Sequence, residues 1–273
     1  MESPKLKVPP GAVDCHMHVF DDAWPLAPTA SFIPKPASAA QYKELQATLG
    51  LSRVVVVQAS GYAFDNSGML GAMATFGDSA RGVAVVSPTV PRAELDRLTS
   101  LGIRGVRYHM FRGGVLPWDT LEANAARVHE FGWHVQLQLD CRDLPQHLAM
   151  IRRLPGQLVI DHNGKFMEPV ETDHPGFRAL LGLLDTGRVY IKLSAPYETS
   201  KVGPPHYTDV SRLARALVKA NPERCLWASN WPHPNQTPQP SDAAMLDLLL
   251  EWADDDATRH RILVDNPTQL YGF

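Results

Sequence analysis

Long apolar runs are missing from this sequence. The strongest, such as Val54 to Val57, fall far short of the roughly 20 residues a membrane-spanning helix needs. Cysteine is scarce: Cys15, Cys141 and Cys225 are odd in number, widely spaced and form no CxxC pair. No disulfide framework follows from them, and reduced thiols in a cytoplasm are the expectation. An excess of charge is missing too. A formal net charge of -3 gives no reason to expect nucleic acid as a partner. Met1 to Pro10 carries lysines but no apolar signal core, so neither a secretion signal nor a membrane partner is expected. Linkers, low-complexity tracts and internal repeats are absent as well, which leaves residues 1–273 as one expected domain.

What is present is a regular alternation. Hydrophobic residues make up 44% and charged residues 20%, which suits a soluble globular enzyme. Short runs rich in Val, Ile and Leu read as strands covered on both faces: Val13–Phe20, Arg53–Gln58, Gly82–Val86, Ile103–His109, His134–Leu139, Leu158–His162, Val189–Ser194 and Cys225–Ser229. Amphipathic runs lie between them: Ala39–Leu49, Gly68–Phe76, Arg92–Leu101, Thr120–Glu130, Asp143–Leu154, Gly176–Thr186, Thr208–Ala220 and Ala243–Trp252. Ser38, Asp119 and Asp209 read as helix N-caps, and Gly50, Gly77, Gly102 and Gly132 as stops. The tail from Asp256 reads as a short helix and an extended end. Strand-then-helix units repeated in this way predict an α/β fold, a (β/α)8 TIM barrel. A doubly wound sheet would usually carry a Gly-rich loop after its first strand, and His18-Val19-Phe20-Asp21 is unlike one.

In a barrel the catalytic face is the C-terminal end of the strands, and alternation sorts each strand into inward and outward residues. The inward set is His16, His18, Gln58, Ser60, Arg107, His109, Gln138, Asp140, His162, Lys192, Ser194 and Asn230, with Gln136 on the same parity. By the same rule Cys15 points away from the site. So many polar groups at one end need partners, which points to a ligand cavity.

His16-Met17-His18 is a familiar metal-ligand spacing. Zinc would want a third histidine or a carboxylate, with His162 and Asp140 as candidates. Strand 8 offers only Asn230, and strand 5 offers glutamines. No cofactor is therefore expected; the alternative is one divalent metal at His16 and His18.

Several motifs come in order: Asp14-Cys15-His16-Met17-His18-Val19-Phe20, Val57-Gln58-Ala59-Ser60 with Asp65-Asn66, Gly105-Val106-Arg107, Gly132-Trp133-His134-Val135, Asp161-His162-Asn163-Gly164, Trp231-Pro232-His233-Pro234-Asn235 and Leu263-Val264-Asp265-Asn266-Pro267. Over essentially the whole chain they resemble the amidohydrolase superfamily, in its lactone-processing branch. The resemblance implies a (β/α)8 barrel and lactone chemistry that needs no metal. Lactonases of that branch carry Asp where this chain has Asn230, and that carboxylate is their presumed water-activating base. Asn230, Gly164-Lys165-Phe166 and Tyr197-Glu198-Thr199-Ser200 look more like the branch's isomerases, whereas His16 is lactonase-like.

Each side chain then has an expected role. Arg107, with Arg112 near it, would hold a substrate carboxylate through its planar fork, or pair with Asp140 or Asp65. His16, His18 and His162 would polarise a lactone carbonyl. Asp65 and Asp140 would accept a proton or pair with arginine. Lys192 would bind a carboxylate or sit in a salt bridge, with a Schiff base as the bolder option. Tyr197, Glu198 and His233 would contact substrate hydroxyls. Gln58, Ser60, His109 and Gln138 complete the binding set. The expected partner is a small carboxylated lactone, of a sugar acid or a pyrone dicarboxylate, isomerised by intramolecular acyl transfer or hydrolysed. A metal-dependent hydrolase or decarboxylase and a sugar-acid binding protein are the rivals. Oligomeric state is left open, a homo-oligomer included.

Overall fold

Val, Ile and Leu, spaced in short runs, can bury both faces only if helices cover one and other strands face the opposite one. The computed structural model, which describes residues 2–273, has this arrangement. The strands are β1 (Val13–Met17), β2 (Arg53–Val57), β3 (Ala80–Ala84), β4 (Ile103–His109), β5 (His134–Gln138), β6 (Leu158–Ile160), β7 (Val189–Leu193) and β8 (Cys225–Trp227). They pair in parallel in chain order. Beyond β8 the chain closes on β1: Asn230 N donates to the His16 carbonyl at 2.9 Å, and His18 N to the Trp231 carbonyl at 2.8 Å. The result is a (β/α)8 barrel.

Helices α1 (Ala39–Leu49), α2 (Ser67–Phe76), α3 (Arg92–Ser100), α4 (Leu121–His129), α5 (Leu144–Arg153), α6 (Pro175–Leu184) and α7 (Thr208–Ala220) follow β1 to β7 and pack outside. Ser38 caps α1 through a reciprocal capping box with Gln41, and Gly50 ends it at a φ of 76°. Asp209 does not cap α7. It sits in the first turn, where its carboxylate accepts from Ser200 Oγ at 2.6 Å and Lys201 N at 2.7 Å and ties down the preceding loop. Asp119 lies within a 3-10 turn, Trp118–Thr120, rather than at a cap. The pairing of β3 starts and ends two residues before the expected Gly82–Val86. Val85 is taken instead by the Asn66 amide, which bonds both its N–H and its carbonyl.

After β8 the expected single helix is two, α8 (Asp242–Asp247) and α9 (Leu249–Trp252). The tail is not extended: α10 (Asp256–His260), a π-helical turn at Arg261–Asp265 and α11 (Asn266–Tyr271) run on to its end. Pro267 follows the π-helical turn directly in an unbroken helical run, to which it supplies no N–H. Leu270 and Tyr271 of that helix plug the bottom of the barrel. They pack with Val13, Cys15, Val55, Val57, Val83, Val159, Tyr190, Leu226 and Ala228 into an apolar interior floor. No described helix is long and apolar enough to cross a membrane.

Cys15 belongs to that interior floor, so it does not point away from the barrel. The register of β1 against β2 shifts between Asp14 and Met17. Such an irregularity breaks strict alternation, and Cys15 below and His16 above both end up inside. Outside, Asp14 clamps the bulge. Its carboxylate accepts from Tyr42 Oη of α1 at 2.7 Å, from Ser229 N at 3.0 Å and from His16 N at 3.0 Å.

Candidate active site

The polar interior above the floor forms two layers. The lower one is fully buried and consists of Lys192, Gln136, Asp161 and His16. Lys192 Nζ donates to Gln136 Oε1 at 2.7 Å and stands 3.2 Å from His16 Nδ1 and 3.4 Å from Asp161 Oδ1. Gln136 Nε2 donates to Asp161 Oδ2 at 3.0 Å. Burial alone would raise the Asp161 carboxyl, but the Lys192 ammonium holds it well below the usual carboxylate range.

Lys192 Nζ and Gln136 Nε2 face His16 Nδ1, with Asp161 Oδ1 3.5 Å away, and a His16 proton on Nε2 satisfies both donors and the His18 ring, whose Nδ1 is given to the Val57 carbonyl. That N–H points at His18 Nε2, 3.1 Å away, and His18 in turn donates from Nδ1 to the Val57 carbonyl at 2.8 Å. Both rings are thereby fixed as neutral. Their pKa values lie well below the ordinary histidine value, first because they are buried, then because Lys192 is near His16 and Arg107 near His18. His16 lies beneath the cavity, and His18 lines it with both ring nitrogens already engaged. Of the three histidines expected at a carbonyl, His162 is the one left with a nitrogen to offer. Its Nδ1 meets Ser194 Oγ at 2.8 Å, and its ring lines the cavity.

The upper layer opens into a cavity of about 250 Å³, just under the roughly 300–1,000 Å³ usual for ligand sites, which limits it to a small ligand. Arg107, His109, Gln138, Ser60, Lys165, Glu198 and Asn230 line it with His18 and His162, and Phe20, Phe32 and Phe111 supply apolar walls. The buried Arg107 guanidinium has only neutral partners: it donates to the Gln58 carbonyl at 2.8 Å and to Gln138 Oε1 at 2.6 Å, and its Nε has none. His109 Nδ1 shares the same Gln138 oxygen at 3.2 Å, and burial lowers His109 to about 3.

Several expected residues stand elsewhere. Asp65 accepts from Ser67 N at 3.0 Å at the start of α2, and Asp140 is forked to Arg142 at 2.6 Å; neither lines the cavity. Neither pairs with Arg107. Arg112 is exposed, Gln58 holds the loop after β2 by donating to the Asp65 carbonyl at 2.6 Å, and Lys192 is structural floor. Tyr197 and His233 stand behind the wall. Tyr197 Oη accepts from Asn230 Nδ2 at 3.0 Å and donates to His233 Nδ1 at 2.8 Å, and His233 Nε2 donates to Asp242 at 2.8 Å.

The backbone is left-handed at His162 (φ 55°), Ala195 (φ 47°) and Asn230 (φ 59°), where β6, β7 and β8 run out into the mouth. Strain of this kind gathers where side chains are aimed at a ligand. A family profile described as amidohydrolase matches residues 13–273. The chain belongs to the amidohydrolase family.

Within that family it is 34% identical to a D-galactarolactone isomerase of Agrobacterium fabrum, over 98% of this chain and 94% of that one. It is 37% identical to a 2-pyrone-4,6-dicarboxylate hydrolase of Comamonas testosteroni, over 98% and 92%. A crystal structure of an Agrobacterium tumefaciens protein in its apo form superposes with a TM-score of 0.94 at 33% identity, covering 99% of this chain and 97% of that one.

An amidohydrolase of Burkholderia multivorans that shares this fold carries bound zinc. His16, Asp161 and His162 offer ligand atoms within 4.8 Å of one another. Asp161 Oδ1 and one His162 nitrogen accept no hydrogen bond, but the His16 nitrogens are engaged. His16 Nδ1 and Asp161 face the Lys192 ammonium, and the remaining His16 nitrogen carries a proton. A divalent ion held by the same atoms would sit beside the buried Lys192 ammonium, and that like charge opposes it.

Sequence reasoning passed over Asp161 and Lys165. Counting the strand from His162 rejects Asp161, but Val159 faces the interior floor, so alternation points Asp161 inward, and His162 faces in as well because the chain turns there, with His162 and Asn163 both at positive φ. The turn-prone Asn163-Gly164 pair was the available signal. Lys165 and Glu198 meet at 2.5 Å across two loops, and no local pattern encodes that.

Proposed function

We propose that this amidohydrolase acts on a lactone of a small carboxylic acid, moving the acyl group between hydroxyls of the same substrate. Ring hydrolysis is the second reading. The observation that carries the substrate class is Arg107, a buried guanidinium in the cavity with no carboxylate against it. A buried charge lacking a counter-ion is costly, and a ligand carboxylate received by its fork supplies one. The names of the relatives, a lactone isomerase and a pyrone dicarboxylate hydrolase, support the same class.

The lactone carbonyl would lie against His162, whose free N–H would strengthen its bond as the oxygen becomes an oxyanion. Asn230 favours acyl transfer over hydrolysis. Its Nδ2 is held by Tyr197 and Glu198, which leaves its carbonyl oxygen to accept from a substrate hydroxyl. A hydroxyl of the bound substrate already has proximity on its side, whereas a water must also be captured and oriented. We also read the chemistry as metal-independent, because Lys192 occupies the place of a cation in the floor.

A panel of aldaric-acid lactones and pyrone dicarboxylate in ¹⁸O-labelled water tests this. Exchange between lactone rings without label entering the product is expected. Label at every turnover would make the protein a hydrolase, and equal rates on lactones lacking a carboxylate would remove Arg107's role. Exhaustive chelation should leave the rate unchanged; loss that zinc restores would overturn metal independence.

A further inference from the structure

Acyl transfer needs a group to take the nucleophile's proton and return it to the leaving oxygen. The carboxylates offered by the sequence, Asp65 and Asp140, are engaged outside the cavity. Among the described residues Glu198 is the carboxylate that lines it. We propose, on the reading of the preceding subsection, that Glu198 is the catalytic base and acid of this enzyme.

The geometry divides its two oxygens. Oε2 receives Lys165 Nζ at 2.5 Å, and Oε1 receives Asn230 Nδ2 at 3.3 Å. A carboxylate oxygen has room for a second donor, so Oε1 can accept a substrate proton while the amide holds it in place. The amide cannot turn over, because the same Nδ2 also donates to Tyr197, and Tyr197 is fixed through His233 to Asp242. Asp242, His233 and Tyr197 are therefore positioning residues. Burial would raise the Glu198 carboxyl, but the Lys165 ammonium holds it below its ordinary value, so it enters the reaction ionised. His162 is a poor rival base, since burial lowers it to about 3.

The step balances without a co-reactant. The substrate hydroxyl oxygen bonds to the lactone carbonyl carbon while its proton passes to Glu198. The carbonyl electron pair moves onto oxygen, facing His162. As the carbonyl re-forms, the original ring C–O bond breaks, and the departing oxygen takes the proton back from Glu198. The product is an isomeric lactone, and Glu198 is again a carboxylate. With water as nucleophile the same transfers give the ring-opened acid.

Glu198→Gln should lower kcat by about 10²–10⁴, with KM changed little, and should abolish the acid limb of the kcat/KM profile. The variant leaves Lys165 part-buried and unpaired, so its folding is checked by melting and by calorimetric binding of the ring-opened acid. Lys165→Met with Glu198→Gln should recover the melting temperature and stay inactive, whereas a merely structural pair would recover activity too. Lys165→Met alone should move the acid limb to higher pH, since Glu198 loses its cation. Wild-type turnover that survives Glu198→Gln overturns the base alone. Wild type that turns over no lactone in the panel overturns the function on which it rests, and the base with it.

Discussion

Two buried cations stand at successive levels of the same barrel, and only one has an acid at hand. Lys192, in the lower layer, faces Asp161 and Gln136 and is neutralised within the protein. Arg107, a level higher, meets a carbonyl and a side-chain amide and has no ion pair, with Asp161 and Glu198 acting on it only from a distance. Both lose water by burial, so the difference lies in what compensates them. A charge compensated internally serves the fold. A charge left over can be compensated by a ligand, and its cost to the free protein becomes selectivity for an anion.

The strongest way to break that contrast is to remove the lower cation. Lys192→Met should destabilise the protein by about 3–5 kcal/mol, because Asp161 is left buried and ionised. Urea unfolding measures it, and Asp161→Asn in the same chain should recover much of the loss. If Lys192→Met melts like wild type, the lower layer is not what holds the floor. Arg107→Met should do the reverse. A lost ligand charge pair is worth about 2–5 kcal/mol, so KM should rise by about thirtyfold to several thousandfold with the melting temperature little changed. An unfolded variant would assign Arg107 to the fold and erase the distinction.

Acid probes the barrel interior more gently. Burial lowers His109, His134 and His162 to about 3. The unfolded chain takes up their protons near pH 6.5, and the folded chain refuses them until about pH 3. Stability from these histidines is thus complete above pH 6.5 and falls as pH drops between those limits. The slope is about 1.4 kcal/mol per pH unit for each histidine that protonates on unfolding. Calorimetric melting from pH 8 to pH 4 should show it, and a flat profile would mean these rings are reached by protons in the folded state. The smallest effect concerns backbone at the mouth. Ala195→Gly relieves a left-handed residue and should raise stability by up to about 1 kcal/mol with kcat unchanged.

Much of the fold was legible because Val, Ile and Leu cluster where strands are covered twice, and the strand and helix spans follow from that. Arg107, His109, Gln138, Lys192 and Asn230 face inward as alternation requires. Alternation is a rule about regular strands, so it failed where strands stop being regular: at the β1 register shift for Cys15, and at the left-handed turn after β6, where His162 faces in beside Asp161. It also cannot say what a carboxylate will meet. Asp140 is taken by Arg142, two residues away, and Asp65 by the backbone of Ser67, whereas Glu198 keeps its place at the cavity through Lys165, 33 residues away.

The plug formed by Leu270 and Tyr271 also has a kinetic meaning. With the bottom sealed, substrate and product must pass through one opening and cannot occupy the cavity together. Both lactones of an acyl transfer keep the carboxylate that Arg107 would hold. Product should therefore compete directly with substrate at comparable affinity, and progress curves should bend well before equilibrium is reached.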